Sequence, residues 1–478
     1  MVLLREAYAE ADPRSLALFR IVLGILVLAT ALGRWGDVSE HLSDAGWLPR
    51  EVAFIGATPL SLLRYVGTPT GVKLFLATGA VVASCLCLGI WTRLMQWLAL
   101  AFVVSLNARN TTIENGGHVA LIWLCLLSAF LPLGERFSLD ALRRAPAPHR
   151  DRPVVSLAAA ALVLQWGAIY WLNYAQKTGE TWRDGTALEY FLHQDQAVTA
   201  VGVWLRERAP LPFLELATRA ARSLELCLSL LLLLPFTAPL ARSTGLLLAA
   251  VLHGSIAALL DLGTFSWVMI GGWVALLRPG TWQAWYERAP GLRRRITLWG
   301  EAVRRRFSGS RPAPRRWLPR RVVTLAVSLT MLVQLIELAV DNPWVPEWLR
   351  PAQRPAWVAA PVRALRLFQH WSLCAPDPPL VTRRLSISVV TASGRRFDAL
   401  SATSGQAWDE VHRRLADRPR LWPSFFAFAR RRAERLARGE PLASLSVELS
   451  EQPIARRGRQ LEPPRRIPLI GDGAQNQR

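Results

Sequence analysis

The sequence predicts an all-α polytopic membrane protein of about nine transmembrane helices with a small C-terminal α+β extracytoplasmic domain. Three observations carry this expectation. Apolar blocks recur along the first 340 residues, and about 20 such residues suffice for a helix to cross the hydrocarbon core. Arginines concentrate in loops that fall on one face of those blocks, the bias expected of cytoplasmic loops. Beyond residue 340 the blocks give way to short alternating runs with turn signals, which is strand periodicity. The mean hydropathy of +0.21 averages these two unlike regions.

The spans fall near 15–33, 71–92, 94–107, 117–134, 153–175, 212–235, 240–260, 262–279 and 322–340. The first begins inside Asp12-Pro13-Arg14 and no small-residue cleavage site follows it, so it reads as a span rather than a removable signal peptide. Arg20 lies within it; snorkelling to the interface accounts for the charge, with an inward ion pair as the alternative. The pair 240–260 and 262–279 reads as a helical hairpin broken at Asp261-Leu262-Gly263. Cys85, Cys87, Cys125 and Cys227 lie inside spans as small apolar residues. Cys85 and Cys87 do not share a helix face, so neither a disulfide nor a metal site is expected.

Loop charge orients the chain. Loop 135–152 carries five arginines and loop 278–321 carries thirteen, including Arg293-Arg294-Arg295 and Arg304-Arg305-Arg306. On the other face, loop 34–70 has three basic and four acidic residues, loop 107–117 one of each, and loop 176–210 four and five. The N-terminus is therefore expected in the cytoplasm and the C-terminal domain outside, in a multi-pass protein of the plasma (inner) membrane. Two segments follow: a transmembrane domain, 1–340, and an extracytoplasmic soluble α+β domain, 341–478. In the latter, Leu385 to Val389 and Leu442 to Leu449 alternate as strands, Ala392-Ser393-Gly394 signals a turn, and 421–438 forms an amphipathic helix. The end, from about 462, is expected to fray.

The net charge of +22, from 57 basic against 35 acidic residues, invites a nucleic-acid reading. No nucleic-acid motif accompanies it, and 18 arginines lie in two loops where orientation and contact with anionic lipid account for them. The lipid bilayer is the partner implied; nucleic acid is not. The tail keeps 23 arginines against 13 acidic residues, a surplus suited to an anionic partner or lipid surface. Only two of the basic residues are lysines, Lys73 and Lys177.

That ratio isolates Lys177, just after the fifth span in Lys177-Thr-Gly-Glu-Thr-Trp182-Arg-Asp-Gly185. Guanidinium effectively never loses its proton, whereas an amine in apolar surroundings can. A general-base lysine is one reading and an interfacial anchor the other. His118, in Asn115-Gly-Gly-His118, opens the fourth span from the outer side, and His253 lies in the seventh with Asp261 two turns further on. A membrane histidine either joins helices by a hydrogen bond or marks a functional site. In the topology above, all three groups occupy the outer half of the membrane.

These residues resemble the vitamin K-dependent gamma-carboxylase superfamily, and specifically its bacterial HTTM (horizontally transferred transmembrane) branch. The carriers are Arg14-Ser-Leu-Ala-Leu-Phe-Arg20-Ile-Val-Leu-Gly24; Asn115-Gly-Gly-His118 with Leu131-Pro-Leu-Gly134; Lys177-x4-Trp182-x2-Gly185; His253-x9-Gly263-Thr-Phe265; and His370-Trp371-Ser-Leu-Cys-Ala375-Pro376. The resemblance implies Lys177 as the base that deprotonates a reduced vitamin K or menaquinol-like quinol, with O2 and CO2 as co-substrates, and His118 as its helper. It implies His253, Trp182 and Phe265 in the membrane pocket for the quinol. An extracytoplasmic protein or peptide would be the substrate. Gly116-Gly117 stands where animal carboxylases carry asparagines, and the tail is shorter than theirs. A carboxylase, an epoxidase-like oxygenase, or a non-enzymatic membrane protein that binds lipid, quinone or a partner protein are thus the readings left open.

Overall fold

The computed structural model describes residues 2–55, 59–144, 152–235, 239–291, 294–295, 298, 301–302, 305, 319–351, 353–401, 403–454 and 463–471. Among these, helices occupy all nine apolar segments: α1 (Pro13–Gly33), α2 (Pro69–Leu88), α3 (Thr92–Arg109), α4 (Gly116–Ser128), α5 (Leu157–Gln176), α6 (Leu211–Leu233), α7 (Pro239–Leu259), α8 (Phe265–Ala275) and α9 (Arg320–Asp341). Four are long and apolar enough to cross a membrane: Pro13–Gly33, Pro69–Leu88, Ala241–Leu259 and Arg321–Asp341. Of the two arginine triplets of loop 278–321, Arg293, Arg304 and Arg306 fall outside the described residues.

Local chemistry sets the helix ends. Asp12 caps α1 by accepting from the Arg14 backbone N–H at 2.7 Å, with Pro13 in the first turn. α2 ends at Gly89, whose φ of +69° is left-handed; the Arg20 guanidinium passes where a Cβ would stand. The hairpin between α7 and α8 turns where expected, with Gly263 at φ +61° and its N–H on Asp261 Oδ1 at 3.1 Å.

Among the described residues Arg20 forms no ion pair, and it does not snorkel. It is fully buried and donates to the carbonyls of Phe137 at 2.6 Å, Cys87 at 3.1 Å and Arg136 at 3.4 Å. A cation near the C-terminal carbonyls of α2 also complements that helix's dipole.

The chain after α9 runs through a short helix, Ala356–Leu365, and a strap, 366–380, into a four-stranded antiparallel sheet. Its strands are β1 (Val381–Thr391), β2 (Arg396–Asp398), β3 (Leu442–Pro453) and β4 (Arg465–Gly471), in the order β2-β1-β3-β4. Leu385, Ile387, Val389, Leu445, Val447 and Leu449 are buried beneath α10 (Gln406–Arg414) and α11 (Trp422–Ala437), while Arg384 and Ser388 face outward. The expectation of fraying from 462 fails at β4. Ile467 and Ile470 pair with Leu449 and Val447, so the segment completes the sheet edge, where Pro468 can stand without donating to a further strand. Residues 472–478 lie outside the described set.

One hydrophobic core runs from α1 through α8 into the sheet. Helices approach closely where side chains are small: a Cβ on Gly24 of α1 would sit 2.4 Å from Cys87 Sγ and 2.9 Å from the Ala83 carbonyl of α2. Such contacts are the usual device for packing helices in lipid.

Candidate functional site

Lys177 caps the C-terminus of α5 and is only 6% exposed. Its Nζ lies 2.5 Å from Oε1 of Glu225 on α6 and 4.5 Å from the Trp182 ring centroid. The second Glu225 oxygen, Oε2, is buried without a hydrogen-bond partner. One turn earlier on α6, the Arg222 guanidinium lies over the Tyr174 ring at 5.1 Å. Two basic residues and one carboxylate are thereby placed among the aromatic residues Tyr174 and Trp182.

The strap closes this place from the tail side. Leu373 N–H donates to Asn173 Oδ1 at 3.1 Å, and Gly179 N–H to the Pro376 carbonyl at 3.0 Å. Asp377 Oδ1 accepts from both the N–H and the hydroxyl of Thr181, at 2.9 and 2.6 Å, and so holds the first turn of the short helix Glu180–Asp184. Trp182 Nε1 donates to the Cys374 carbonyl at 3.0 Å. The motif His370 to Pro376 therefore contributes backbone to the Lys177 surroundings, which explains why the two stretches carry family-like residues so far apart in sequence.

His253 on α7 takes part in a chain. Trp273 Nε1, a donor only, gives its proton to Tyr170 Oη at 3.2 Å, and Tyr170 Oη lies 2.9 Å from His253 Nε2 in a hydrogen bond whose direction follows the ring tautomer. With the hydroxyl as donor, the neutral ring carries its proton on Nδ1, and that atom is buried without a partner. Phe265 meets the same ring edge-on at 5.7 Å. The charges of Lys177 and Glu225 act on His253 and Tyr170 respectively, so the chain and the lysine–carboxylate pair share one neighbourhood.

His118 is engaged elsewhere. Its backbone N–H donates to Asn115 Oδ1 at 3.2 Å and its Nδ1 accepts the Asn115 N–H at 3.0 Å, forming a reciprocal cap on α4. Its Nε2 faces Arg34 Nη2 at 3.3 Å. Gly117, next to it, packs against Phe265, where a Cβ would stand 2.6 Å from Cα. Of the residues singled out by sequence, Lys177 with Trp182 and His253 with Phe265 are in direct contact, whereas the His118 ring turns to α1.

Sequence reasoning passed over Glu225 and Tyr170, and picked out the strap only as a family-like motif. The signal for Glu225 was present, because an acidic residue inside the span 212–235 is a functional hypothesis by default. Tyr170 offered none; a tyrosine in an apolar run is ordinary. Two cavities stand out and neither is lined by Lys177 or His118: one of about 280 Å³ on the outward sheet face, and one of about 10 Å³ at the other end of the bundle. Among the described residues no group of three or more His, Cys, Asp or Glu is arranged to hold a metal ion.

Long apolar helices, a buried lysine–carboxylate pair and a small sheet-bearing tail define a multi-pass helical membrane protein. More particularly, the chain belongs to the HTTM domain family, whose model matches residues 8–282. No curated protein and no solved structure matches it.

Proposed function

We propose that the chain is a quinol-using membrane enzyme of the carboxylase or epoxidase-like type, in which Lys177 and Glu225 together act as the base. The topology of this reading is nine crossings of the plasma (inner) membrane, the N-terminus in the cytoplasm and the tail outside. The observation that carries it is the Lys177–Glu225 pair, a buried amine on a buried carboxylate whose other oxygen is unpartnered. A chain with 55 arginines has kept an amine at this place, and only the amine can take and release a proton.

The residues present fit a quinol. Glu225 Oε2 and His253 Nδ1 are orphaned polar atoms, one acceptor and one donor, among the rings of Trp182, Phe265 and Tyr170. A reduced quinone, when bound, would supply with O2 the oxidative chemistry that generates a strong base for a substrate C–H. The chain's own part is proton handling. Nζ of Lys177 receives a hydroxyl proton and relays it to Glu225, whose free Oε2 lone pairs accept it while the Nζ–Oε1 contact persists. His253 Nδ1–H orients an oxygen, and Trp182 with Phe265 holds a ring. Apolar walls exclude water, which would quench a strong base. Entry of a ring requires the strap and Trp182 to move, since both Lys177 and Trp182 are buried.

The test is turnover of the full-length protein in nanodiscs with reduced naphthoquinone and oxygen, followed as epoxide. Wild type is expected to turn over. Lys177→Arg, which keeps the charge, and Lys177→Ala are expected to fall at least a hundredfold, the lower end of general-base contributions. Glu225→Gln is expected to fall about tenfold or more. Equal rates in all four proteins sink the base assignment. Quinone binding with no turnover by wild type sinks the enzyme reading in favour of a non-enzymatic quinone-binding protein.

A further inference from the structure

At the other end of the bundle, away from Lys177, the start of α1, the start of α5, the start of α7 and the end of α8 meet around the cavity of about 10 Å³. Leu16, Leu162 and Leu276 give it apolar walls, and Arg242, Arg278 and Glu10 its polar edge. Arg242 is 1% exposed. Its Nη2 donates to the Ala7 carbonyl at 3.1 Å, and Arg278 Nη2 donates to that same carbonyl at 2.7 Å. Arg242 Nη1 is buried without a partner.

Among the described residues neither Arg242 nor Arg278 forms a salt bridge; the carboxylates of Glu10 and Glu6 act on Arg278 only from a distance, and Glu10 is already held by Arg5 at 3.0 and 3.2 Å. Tyr8, beside them, has its hydroxyl on the Leu233 carbonyl at 2.5 Å. A buried guanidinium without a counter-charge is costly, and Arg242 sits in the first turn of α7, where the helix dipole adds further positive potential. Both penalties vanish if an anion occupies the cavity mouth.

We propose that Arg242 and Arg278 bind a phosphate group, and that its source is the headgroup of an anionic phospholipid. The volume selects the pose. About 10 Å³ admits one water-sized atom, so one phosphate oxygen reaches Arg242 Nη1 while the rest of the headgroup lies at the mouth against Arg278. Guanidinium suits phosphate through paired, charge-assisted hydrogen bonds. This end also carries the arginine-rich loops, the side that faces the anionic leaflet in the orientation proposed above. The site is independent of the Lys177 chemistry.

The experiment uses the full chain, delipidated in a neutral detergent and titrated with phosphatidylglycerol, phosphatidylcholine or inorganic phosphate, with binding read from the rise in Tm. Wild type is expected to bind phosphatidylglycerol at least tenfold more tightly than phosphatidylcholine. Arg242→Gln is expected to abolish that preference, and Arg288→Gln, an exposed arginine further along, to keep it. If Arg242→Gln does not fold, Arg278→Gln, which is half-buried, is read in its place. Phosphate competing as well as phosphatidylglycerol identifies free phosphate as the occupant and overturns the lipid source. Equal preference in wild type and the cavity variants, or no preference in wild type, overturns the site, and the cavity then holds water.

Discussion

A neutral imidazole has one acceptor nitrogen, and at His118 two donors compete for it. The Asn115 N–H reaches Nδ1 at 3.0 Å and Arg34 Nη2 reaches Nε2 at 3.3 Å. Arg34 is satisfied without the ring, by Asp37 Oδ2 at 2.9 Å and the Ile113 carbonyl at 3.1 Å, so the cap takes the acceptor and the proton rests on Nε2. In that state His118 offers Lys177 no base. The capping role makes a split prediction, because glutamine is a preferred partner at this position of a capping box. His118→Gln is expected to keep the wild-type Tm, while His118→Ala loses about 1 kcal/mol. Quinol turnover measured on the same His118→Gln protein separates the roles: retained turnover leaves His118 as a cap, and lost turnover at unchanged Tm restores the helper role that the family resemblance implies.

At the scale of elements, helix positions follow from apolar length and helix contacts follow from small residues. Gly24 shows the second. Its missing Cβ is what lets α1 approach the Ala83 carbonyl and Cys87 of α2. Gly24→Val is expected to lower stability by about 1–3 kcal/mol, the usual cost of overpacking, whereas Gly33→Ala on the same helix, with nothing within 4 Å, changes it little. Thermal melts in detergent check both; equal Tm values for the two variants would show that the helices do not meet at Gly24. The positions of α1 to α9 were legible because each is an apolar run between polar loops, and β1, β3 and α11 because their periods of 2 and 3.6 are clean. β4 was not legible. Arg465-Arg466-Ile467-Pro468 reads as tail on propensity alone, and only the partner strand β3 makes it a strand. Lys177 was legible from composition and Glu225 as an acidic residue inside a span, but their pairing required knowing that α5 and α6 pack side by side, a tertiary fact.

At the scale of the whole molecule, the arginine surplus of the tail has an inward use. Arg432 pairs with Glu40, Arg366 with Glu114, and Arg418 Nη1 donates to Thr111 Oγ1 at 2.9 Å, so tail arginines grip the loops 34–70 and 107–117. At the centre of this contact Trp408 donates to Glu40 Oε2 at 2.7 Å and lies between two histidines, with His41 edge-on at 4.8 Å and His412 tilted at 6.1 Å. Burial, with Arg34 and His412 nearby, holds His41 down at about 3. Burial and then Arg384, against an opposing Asp398, hold His412 down at about 4. Both values lie below the 6.5 of an unfolded histidine, so the unfolded state binds more protons as pH falls, and stability is full above about pH 6.5 and lost progressively towards pH 4 and below. Asp409 works the other way. Burial raises its carboxyl to about 6, which favours the folded state in acid and offsets part of one histidine's effect. Two histidines outweigh one carboxyl, and the contact between tail and loops is expected to loosen between pH 6.5 and 4.5 by roughly 2 kcal/mol. Hydrogen exchange followed at Leu385 to Val389 and across α11 should accelerate over this range while α4 and α5 stay protected. Replacing both rings, as His41→Gln with His412→Gln, keeps an acceptor for Trp47 Nε1 and for the Leu385 N–H and should flatten the profile. A double variant with the wild-type pH profile would show that the two histidines do not set the response.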